Sequence, residues 1–410
     1  MKPVAIITAT PPGVNPGMLA CDAAARTFMA RAGLTEHCTF FRVRRLADVL
    51  GHADAETRAA TVAACDIGLE FSLLEDASQL EGMTPVFWGD FLHMHAYQRA
   101  VAGPDPRDFP AVADLLLLRT AAATTRRAVS YGTSILFNAT ADYGDPDYGP
   151  AFRGFFDGVF HVQMRDAISA AVVSGLRRRG ENNFGIDPAQ LLSLPAYESA
   201  VIGDAGRDDA GTARIDRAAV FFARGKHDWR LLEPFIDNLA TTIGVRPAWI
   251  PWGDSFSFPF MHGVPYGSSI PRLPADRHAC SRLQSLLRTI RESRCVITDT
   301  YHLAVISWAI GVPAVVIAGD YHDGEKLAKA AHVRVRHDKR KVIMGQDGLL
   351  DFYIEPQLIA ATDHWKEISG RLGRSIHAAA EADAFRSHLA ARAAASEASL
   401  LAAIRQARTM

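Results

Sequence analysis

Hydrophobic and polar positions along this chain switch repeatedly between short unbroken apolar runs and stretches with helical spacing. Residues 4–8 are an apolar, β-branched run that reads as a buried strand. A loop rich in Pro and Gly follows (Pro11, Pro12, Gly13, Pro16, Gly17), then a helical stretch through Met29. Residues 39–43, 85–88, 134–138 and 159–163 read as further strands. Strands that alternate with helices imply a parallel sheet covered on both faces. Residues 203–216 break the pattern: they are rich in Gly and Asp, hold almost no large apolar side chain, and read as a linker. A second cycle then begins, with strands expected at 218–222, 248–251, 295–297 and 314–317. Trp229, Leu232, Phe235, Ile236 and Leu239 form one helical stripe; Leu283, Leu286, Leu287 and Ile290 form another. From about residue 375 the chain is Ala-rich with few breakers and is expected to be helical. Phe385, Leu389, Leu400, Leu401 and Ile404 supply its apolar stripe, which suits either a simple packing helix or one that crosses back onto the first domain.

The expected organisation is therefore a first α/β domain over residues 1–205, a second over 206–374, and a helical tail over 375–410. A chain of 410 residues exceeds what one core usually serves, which agrees with two domains. The net charge of −1 excludes a broad electrostatic footprint for nucleic acid or an anionic membrane, so any anion must be met by a local cluster. No stretch approaches the roughly 20 apolar residues of a membrane span, and the opening MKPVAIITAT reads as a first strand rather than a signal peptide. Cys21, Cys38, Cys65, Cys280 and Cys295 are scattered without zinc-ligand spacing; they read as reduced thiols of a cytoplasmic protein, and no metal is expected.

The richest segment is residues 295–320, CVITDTYHLAVISWAIGVPAVVIAGD, a strand, tight turn, helix, turn and strand. Its turn puts Thr298, Asp299 or Thr300 at the helix N-cap and His302 in the first helical turn. Free N–H groups and the positive end of the helix dipole lie there, beyond the carboxyl end of a strand, where α/β sheets bind ligands. A capped helix with a packed His302 is the plain structural reading of the same residues. Gly311 and Pro313 end the helix.

This segment resembles the late C-terminal motif of the polysaccharide pyruvyl transferase family, in Asp299, His302, Gly311 and Pro313. Arg165, Asp166 and Ser169 are similar to the family's Arg-Asp-x-x-Ser element, and Asp187, Pro188, Leu191 and Leu192 to its Asp-Pro-x-x-Leu-Leu segment. Lys326 lies where the family often has a lysine, and Asn15, Gly17 and Asp22 resemble its Asn-x-Gly-Asp opening. The resemblance implies a GT-B-like pair of Rossmann-like domains with parallel sheets facing across a cleft. It also implies phosphoenolpyruvate as the donor, no cofactor, and a saccharide or lipid-linked saccharide acceptor of envelope or exopolysaccharide synthesis. The family's Arg before Leu-His is Thr300 here, followed by Tyr301. Either another cation takes its place or the donor differs. Arg224 and Lys226, in ARGKHDW after the first strand of the second domain, are the candidate substitutes; with His227 they also read as a solvated loop.

On the donor side the candidates are thus Arg224, Lys226, Thr300, Tyr301 and Lys326. His302 is a candidate acid or base because imidazole titrates in the useful range, and Asp299 either orients it or caps the helix. On the acceptor side stand Asn15, Gly89, His93 and Arg165, with Asp90 as candidate base or N-cap. Gly89 would let a substrate approach the backbone. The loop holding Asp142, Tyr143, Asp145, Asp147 and Tyr148 suits either sugar hydroxyls or a plain surface. Residues 252–256 are a further candidate lining of the donor cleft, and His262 reads as structural. Three functions remain open: pyruvyl transfer, glycosyl transfer from a nucleotide-sugar, in which Asp320 or Glu325 would hold the ribose, and a non-catalytic relative that binds a sugar or an anion.

Overall fold

The computed structural model describes residues 1–8, 16–43, 69–103, 105–177, 183–203, 215–222, 227–252, 268–273, 279–318, 338–381 and 383–410. The first half contains β1 (Val4–Thr8), α1 (Pro16–Arg31), β2 (Cys38–Arg42), β3 (Phe71–Leu73), β4 (Thr84–Trp88), α2 (His95–Ala102), α3 (Phe109–Leu117), α4 (Ala122–Thr125), β5 (Val129–Thr133), α5 (Tyr148–Gly158), β6 (His161–Met164), α6 (Ala167–Leu176) and α7 (Pro195–Ile202). The second contains β7 (Ile215–Phe221), α8 (Trp229–Ile243), β8 (Arg246–Trp249), α9 (Ala279–Glu292), β9 (Ser293–Thr298), α10 (Tyr301–Ala309), β10 (Ala314–Ile317), α11 (Lys339–Gln346), β11 (Tyr353–Ile354), α12 (Pro356–Ala360), α13 (Trp365–Glu381) and α14 (Asp383–Ala407).

Two wholly parallel sheets result. The first has six strands in the order β3-β2-β1-β4-β5-β6, and the second five in the order β11-β10-β9-β7-β8. The first is the dinucleotide-binding order of a Rossmann domain; the second, counted from its own first strand, is the 2-1-3-4-5 order of the flavodoxin-like variant. Such sheets are buried on both faces, which explains why their central strands read as unbroken apolar runs. All five residues of β1 are buried, as are those of β4 and β5. The fold is thus the two-domain α/β arrangement that the alternation of periods implied.

In each order the strand sequence reverses at one point, between β1 and β4 in the first sheet and between β7 and β9 in the second. These switch points open crevices at the carboxyl ends of the strands. The register Thr8↔Trp88 and Phe221↔Thr298 sets the exits of the paired strands side by side.

The sequence reading needs three corrections here. The strand expected at 134–138 is β5, five residues earlier. Gly132 turns left-handed (φ 63°), and the Ser134 N–H then donates to the Asp90 carbonyl at 2.7 Å, so the apolar run that follows leaves the sheet. β3 and β11, of three and two residues, are too short to carry a period and went unread. The tail has no break at 375, because α13 starts at Trp365. Residues 204–214 of the expected linker lie outside the described residues.

Of the two readings of the tail, the structure takes the crossing helix. Ser396 on α14 donates to Gln163 Oε1 at 2.9 Å, and Glu397 accepts from the Tyr197 hydroxyl at 2.6 Å, both in the first half. Arg408 Nε closes on the Lys2 carbonyl at 2.7 Å. Arg392 on the same helix pairs with Asp347 of the second half. α14 therefore straps the two sheets together near the junction of their switch points. Among the described residues no helix is long and apolar enough to cross a membrane.

Candidate active site

The junction is built from four turns, three of them at the carboxyl ends of strands β4, β6 and β9 and one the 3-10 turn Pro188–Ser193. After β4, Gly89 and Asp90 are both left-handed, at φ 69° and 50°. Only a few residue types tolerate this without a large steric cost, and Asp is one of them. The Gly89 N–H donates to Tyr131 O at 2.8 Å, and Ser134 N–H to Asp90 O at 2.7 Å, so the neighbouring strand pins the turn. Held backbone strain of this kind concentrates at functional sites. Asp90 is not the helix cap of one sequence reading, since no helix begins there; its carboxyl lies 4.0 Å from Arg165. Burial pushes that carboxyl above its usual range, against the opposing pull of Arg165 and Lys339.

After β6, Arg165 turns inward and Asp166 caps α6, accepting from Ser169 N at 2.7 Å and from the Ser134 and Ser169 hydroxyls, each at 2.7 Å. Arg165 is 2% exposed and reaches Asp187 Oδ2 at 3.2 Å. Its guanidinium lies 4.5 Å from the Phe91 ring centre and 5.1 Å from that of Tyr301. Asp187 starts the 3-10 turn Pro188–Ser193, accepting from the Ala189 N–H at 2.9 Å. Pro188 behind it wedges over the strand ends: a Cβ on Gly132 would come within 2.5 Å of its ring, and one on Gly89 within 3.3 Å. Gly89 is therefore needed for its conformation and for Pro188, and the space the sequence reading kept for substrate is filled.

Asp187 gathers the second domain as well. The Tyr301 hydroxyl donates to its Oδ2 at 2.9 Å, His302 Nε2 stands 3.8 Å away, and the Cys21 thiol points at Oδ1 from 3.8 Å. Burial raises the Asp187 carboxyl, and Arg165, the Ala189 N–H and the Tyr301 hydroxyl oppose that rise. The same burial drives His302 down to about 3, so the ring is neutral at any physiological pH. That corrects the acid role expected of His302. Its side chain is packed against α1, where a Cβ on Gly17 would lie 2.2 Å from the His302 Cβ. Cys21, Asp187 and His302 offer ligand atoms within 4.8 Å of one another, the spacing of a metal site. Arg165 occupies the metal side of the shared carboxylate, however, and a divalent ion beside that guanidinium would face strong repulsion in a dry site.

The fourth turn follows β9. α10 has Thr300 as its N-cap, and no side chain caps it. The Thr300 hydroxyl donates instead to Asp299 Oδ1 at 3.3 Å. Tyr301, His302 and Leu303 of the first turn are all buried. A buried helix start without a side-chain cap is a ready site for an anion. Asp299 neither caps α10 nor orients His302, as the sequence suggested. It is 1% exposed and accepts from His227 Nε2 at 3.1 Å. The Arg340 guanidinium bonds the Asp299 carbonyl and the Asp338 carboxylate, and Lys339 Nζ lies 5.0 Å from Phe91 and 5.1 Å from Tyr301.

The structure thus brings together Asp90, Arg165, Asp299, Thr300, Tyr301 and His302. It removes His93, which is wholly buried, bonds Leu116 O and the Ser130 hydroxyl at 3.1 Å each, and is driven to about 3 by burial among Phe87, Phe155 and Phe156. Asp142 and Asp145 are neither sugar ligands nor an open loop; they hold His95 at 3.0 and 3.5 Å. Trp252 is a core residue, 1% exposed. Asn15, Arg224, Lys226, Lys326, Asp320, Glu325 and His262 lie outside the described residues. The sequence reading missed the roles of Asp187, His227 and Lys339. Asp187 and His227 stood inside motifs already singled out; Lys339 sits in a charge run with no pattern to mark it.

No family model and no curated relative matches this sequence. Among solved structures the chain is similar to LpCGTa in complex with UDP (14% identity, covering 100% of each chain, TM-score 0.46). It is also similar to a UDP-GlcNAc 2-epimerase from Neisseria meningitidis bound to UDP-GlcNAc (10% identity, 92% of this chain and 98% of that one, TM-score 0.43). A third is the α,α-trehalose 6-phosphate synthase of Burkholderia multivorans (13%, 99% and 98%, TM-score 0.41). The fold assignment rests on the two strand orders, not on these low scores.

Proposed function

We propose that this chain is a group-transfer enzyme that holds a phosphate-bearing donor at the start of α10 and deprotonates an acceptor hydroxyl with Asp90. The observation that carries the reading is the meeting of the two topological switch points at one junction. One contributes a helix start without a side-chain cap and the other a strained, partly desolvated carboxylate. A carboxylate with a raised pKa is a better base near neutrality than an ordinary Asp. The acceptor oxygen forms its bond to the transferred carbon as its proton passes to Asp90. The bond from that carbon to the donor's phosphate oxygen breaks, and the electron pair leaves with the phosphate. The helix N–H groups stabilise the charge that develops there.

Of the two donors, a nucleotide-sugar fits the described residues better. Phosphoenolpyruvate brings a carboxylate and a phosphate and needs a cation cluster. Arg165 is committed to Asp187 and Asp90, and Arg340 to Asp338 and the Asp299 carbonyl. Thr300 stands where the resembled family has its Arg. One observation favours the pyruvyl reading: Arg165, Asp187, Asp299 and His302, from three separate motifs of that family, converge on this junction. A saccharide hydroxyl is the acceptor class in either case.

The test is turnover with a panel of nucleotide-sugars and with phosphoenolpyruvate, each with saccharide acceptors, reading nucleotide and phosphate release. Release of nucleotide diphosphate that falls about 100-fold or more in Asp90→Asn is expected. Asn tolerates the left-handed turn, so the fold is kept. Phosphate release from phosphoenolpyruvate alone would replace the nucleotide-sugar with the pyruvyl donor. Unchanged turnover in Asp90→Asn would remove the base.

A further inference from the structure

We propose that the groove at the amino ends of β5 and β6 is an effector site for a compact organic anion, a carboxylate or phosphate carried on an apolar body. The groove has a volume of about 340 Å³ and lies between the end of α3, α4 and α5. Sites for small molecules begin at roughly 300 Å³. It sits at the opposite end of the sheet from the junction: Thr125 and Arg126 precede β5, and Asp157 and Gly158 precede β6, whereas Asp90 follows β4. The length of β5, roughly 16 Å, separates the two, so an occupant touches neither Asp90 nor the start of α10. The site therefore stands whatever the junction binds.

Leu117, Leu118 and Phe155 close the floor, and Ala122, Pro150 and Gly154 form the walls, so a ligand's body meets mainly carbon. Leu118 is left-handed (φ 49°), which ends α3, buries its own side chain and leaves Arg119 exposed at the rim. Arg119 and Arg126 face the single carboxylate of Asp157, so the described lining carries an excess of positive charge. The Arg126 guanidinium has no hydrogen-bond or ion-pair partner among the described residues. Arg119 holds only Asp147, at 3.4 Å in an exposed pair. Such a pair contributes little, so an incoming anion displaces it readily. A guanidinium suits carboxylate and phosphate alike. Gly154 holds the groove open. Glycine weakens a helix interior, and nothing here requires it: a Cβ would meet no atom within 4 Å.

One ring connects the groove to the Asp90 turn. His93, three residues after Asp90, is neutral in its buried place. Its Nδ1–H donates to Leu116 O and its Nε2 accepts from the Ser130 hydroxyl, each at 3.1 Å. The same ring lies 4.4 Å from that of Phe155. A ligand that shifts Leu117 or Phe155 therefore moves the group against which the Asp90 turn is set.

The experiment uses the full chain with phenyl phosphate, benzoate and the uncharged benzyl alcohol as probes. Methyl resonances of Leu117, Leu118 and Ala151 and the amide of Asp90 are followed by NMR. At least one anion is expected to shift all of these saturably, with a millimolar dissociation constant in keeping with its size. Which anion does so separates a phosphate from a carboxylate ligand. Arg126→Ala is expected to weaken it about fivefold. Gly154→Leu, which puts a good helix former into open space, is expected to abolish the shifts with the melting temperature held or raised. Benzyl alcohol binding as tightly as the anions, or an affinity unchanged in Arg126→Ala, would overturn the anion class. Groove shifts that leave the Asp90 amide unmoved would overturn the effector role. No saturable shift from either anion up to about 20 mM would overturn the site.

Discussion

The turns after β6 and β9 are built alike and used differently. Each leaves a parallel strand with an Asp just before a helix. In the first, Asp166 satisfies its own helix, taking the Ser169 N–H and two hydroxyls. In the second, Asp299 turns away to His227, and α10 starts without a side-chain cap. An acid before a helix thus serves as the cap in one turn and as the partner of a distant histidine in the other.

Asp187 joins the two turns, since Arg165 comes from one and Tyr301 from the other. Its removal should have the largest effect. Asp187→Ala leaves Arg165 buried with Asp90 as its remaining carboxylate partner at 4.0 Å, and a loss of about 3–5 kcal/mol is expected. A melting temperature lowered by only a degree or two would mean the junction does not depend on this ion pair. Next comes acid sensitivity. His302 and His93 are each neutral down to about 3 in the fold, against an ordinary 6.5, so the unfolded chain binds their protons first. Stability should then fall as pH drops below 6.5, by roughly 2 kcal/mol per histidine at pH 5. Asp22, raised to about 6 by burial, acts in the opposite sense between about 6 and 3.8 and offsets about 1 kcal/mol of this. The slope of melting temperature against pH should flatten by about two-thirds in His302→Asn, and a parallel slope would contradict the buried neutral ring.

Gly17→Ala tests how closely the second turn is packed against α1. The new Cβ would stand 2.2 Å from the His302 Cβ, and a cost of about 1–3 kcal/mol is expected. Gly154→Ala in α5, where nothing lies within 4 Å, should be neutral or stabilising. The smallest pair isolates the comparison itself. Asp166→Ala should cost about 1–2 kcal/mol as a lost cap, whereas Thr300→Ala should cost less than about 0.5. Equal losses in denaturant unfolding would mean the two helix starts are built the same way.

Much of this fold could be read from periodicity because both sheets are parallel and buried, which leaves long apolar runs. What escaped had physical reasons. β3 and β11 are too short for a period, and the run at 134–138 was diverted by left-handed Gly132. The site was legible as motifs but not as partnerships. Asp299 and His302 adjoin in sequence, yet their partners, His227 and Asp187, are 72 and 115 positions away. His93, beside Asp90 in sequence, points into the core because the left-handed turn at Gly89 and Asp90 redirects the chain. Only the pairing of strands across the fold reveals which imidazole a carboxylate serves.

The central claim is that the start of α10 holds the donor's anion, and Thr300→Asp tests it most directly. The new carboxylate would cap α10 as Asp166 caps α6 and put a negative charge where the phosphate belongs. Calorimetric titration with UDP should give an affinity at least about tenfold weaker than wild type, with a melting temperature equal or higher. UDP that binds wild type and Thr300→Asp equally well would contradict the claim.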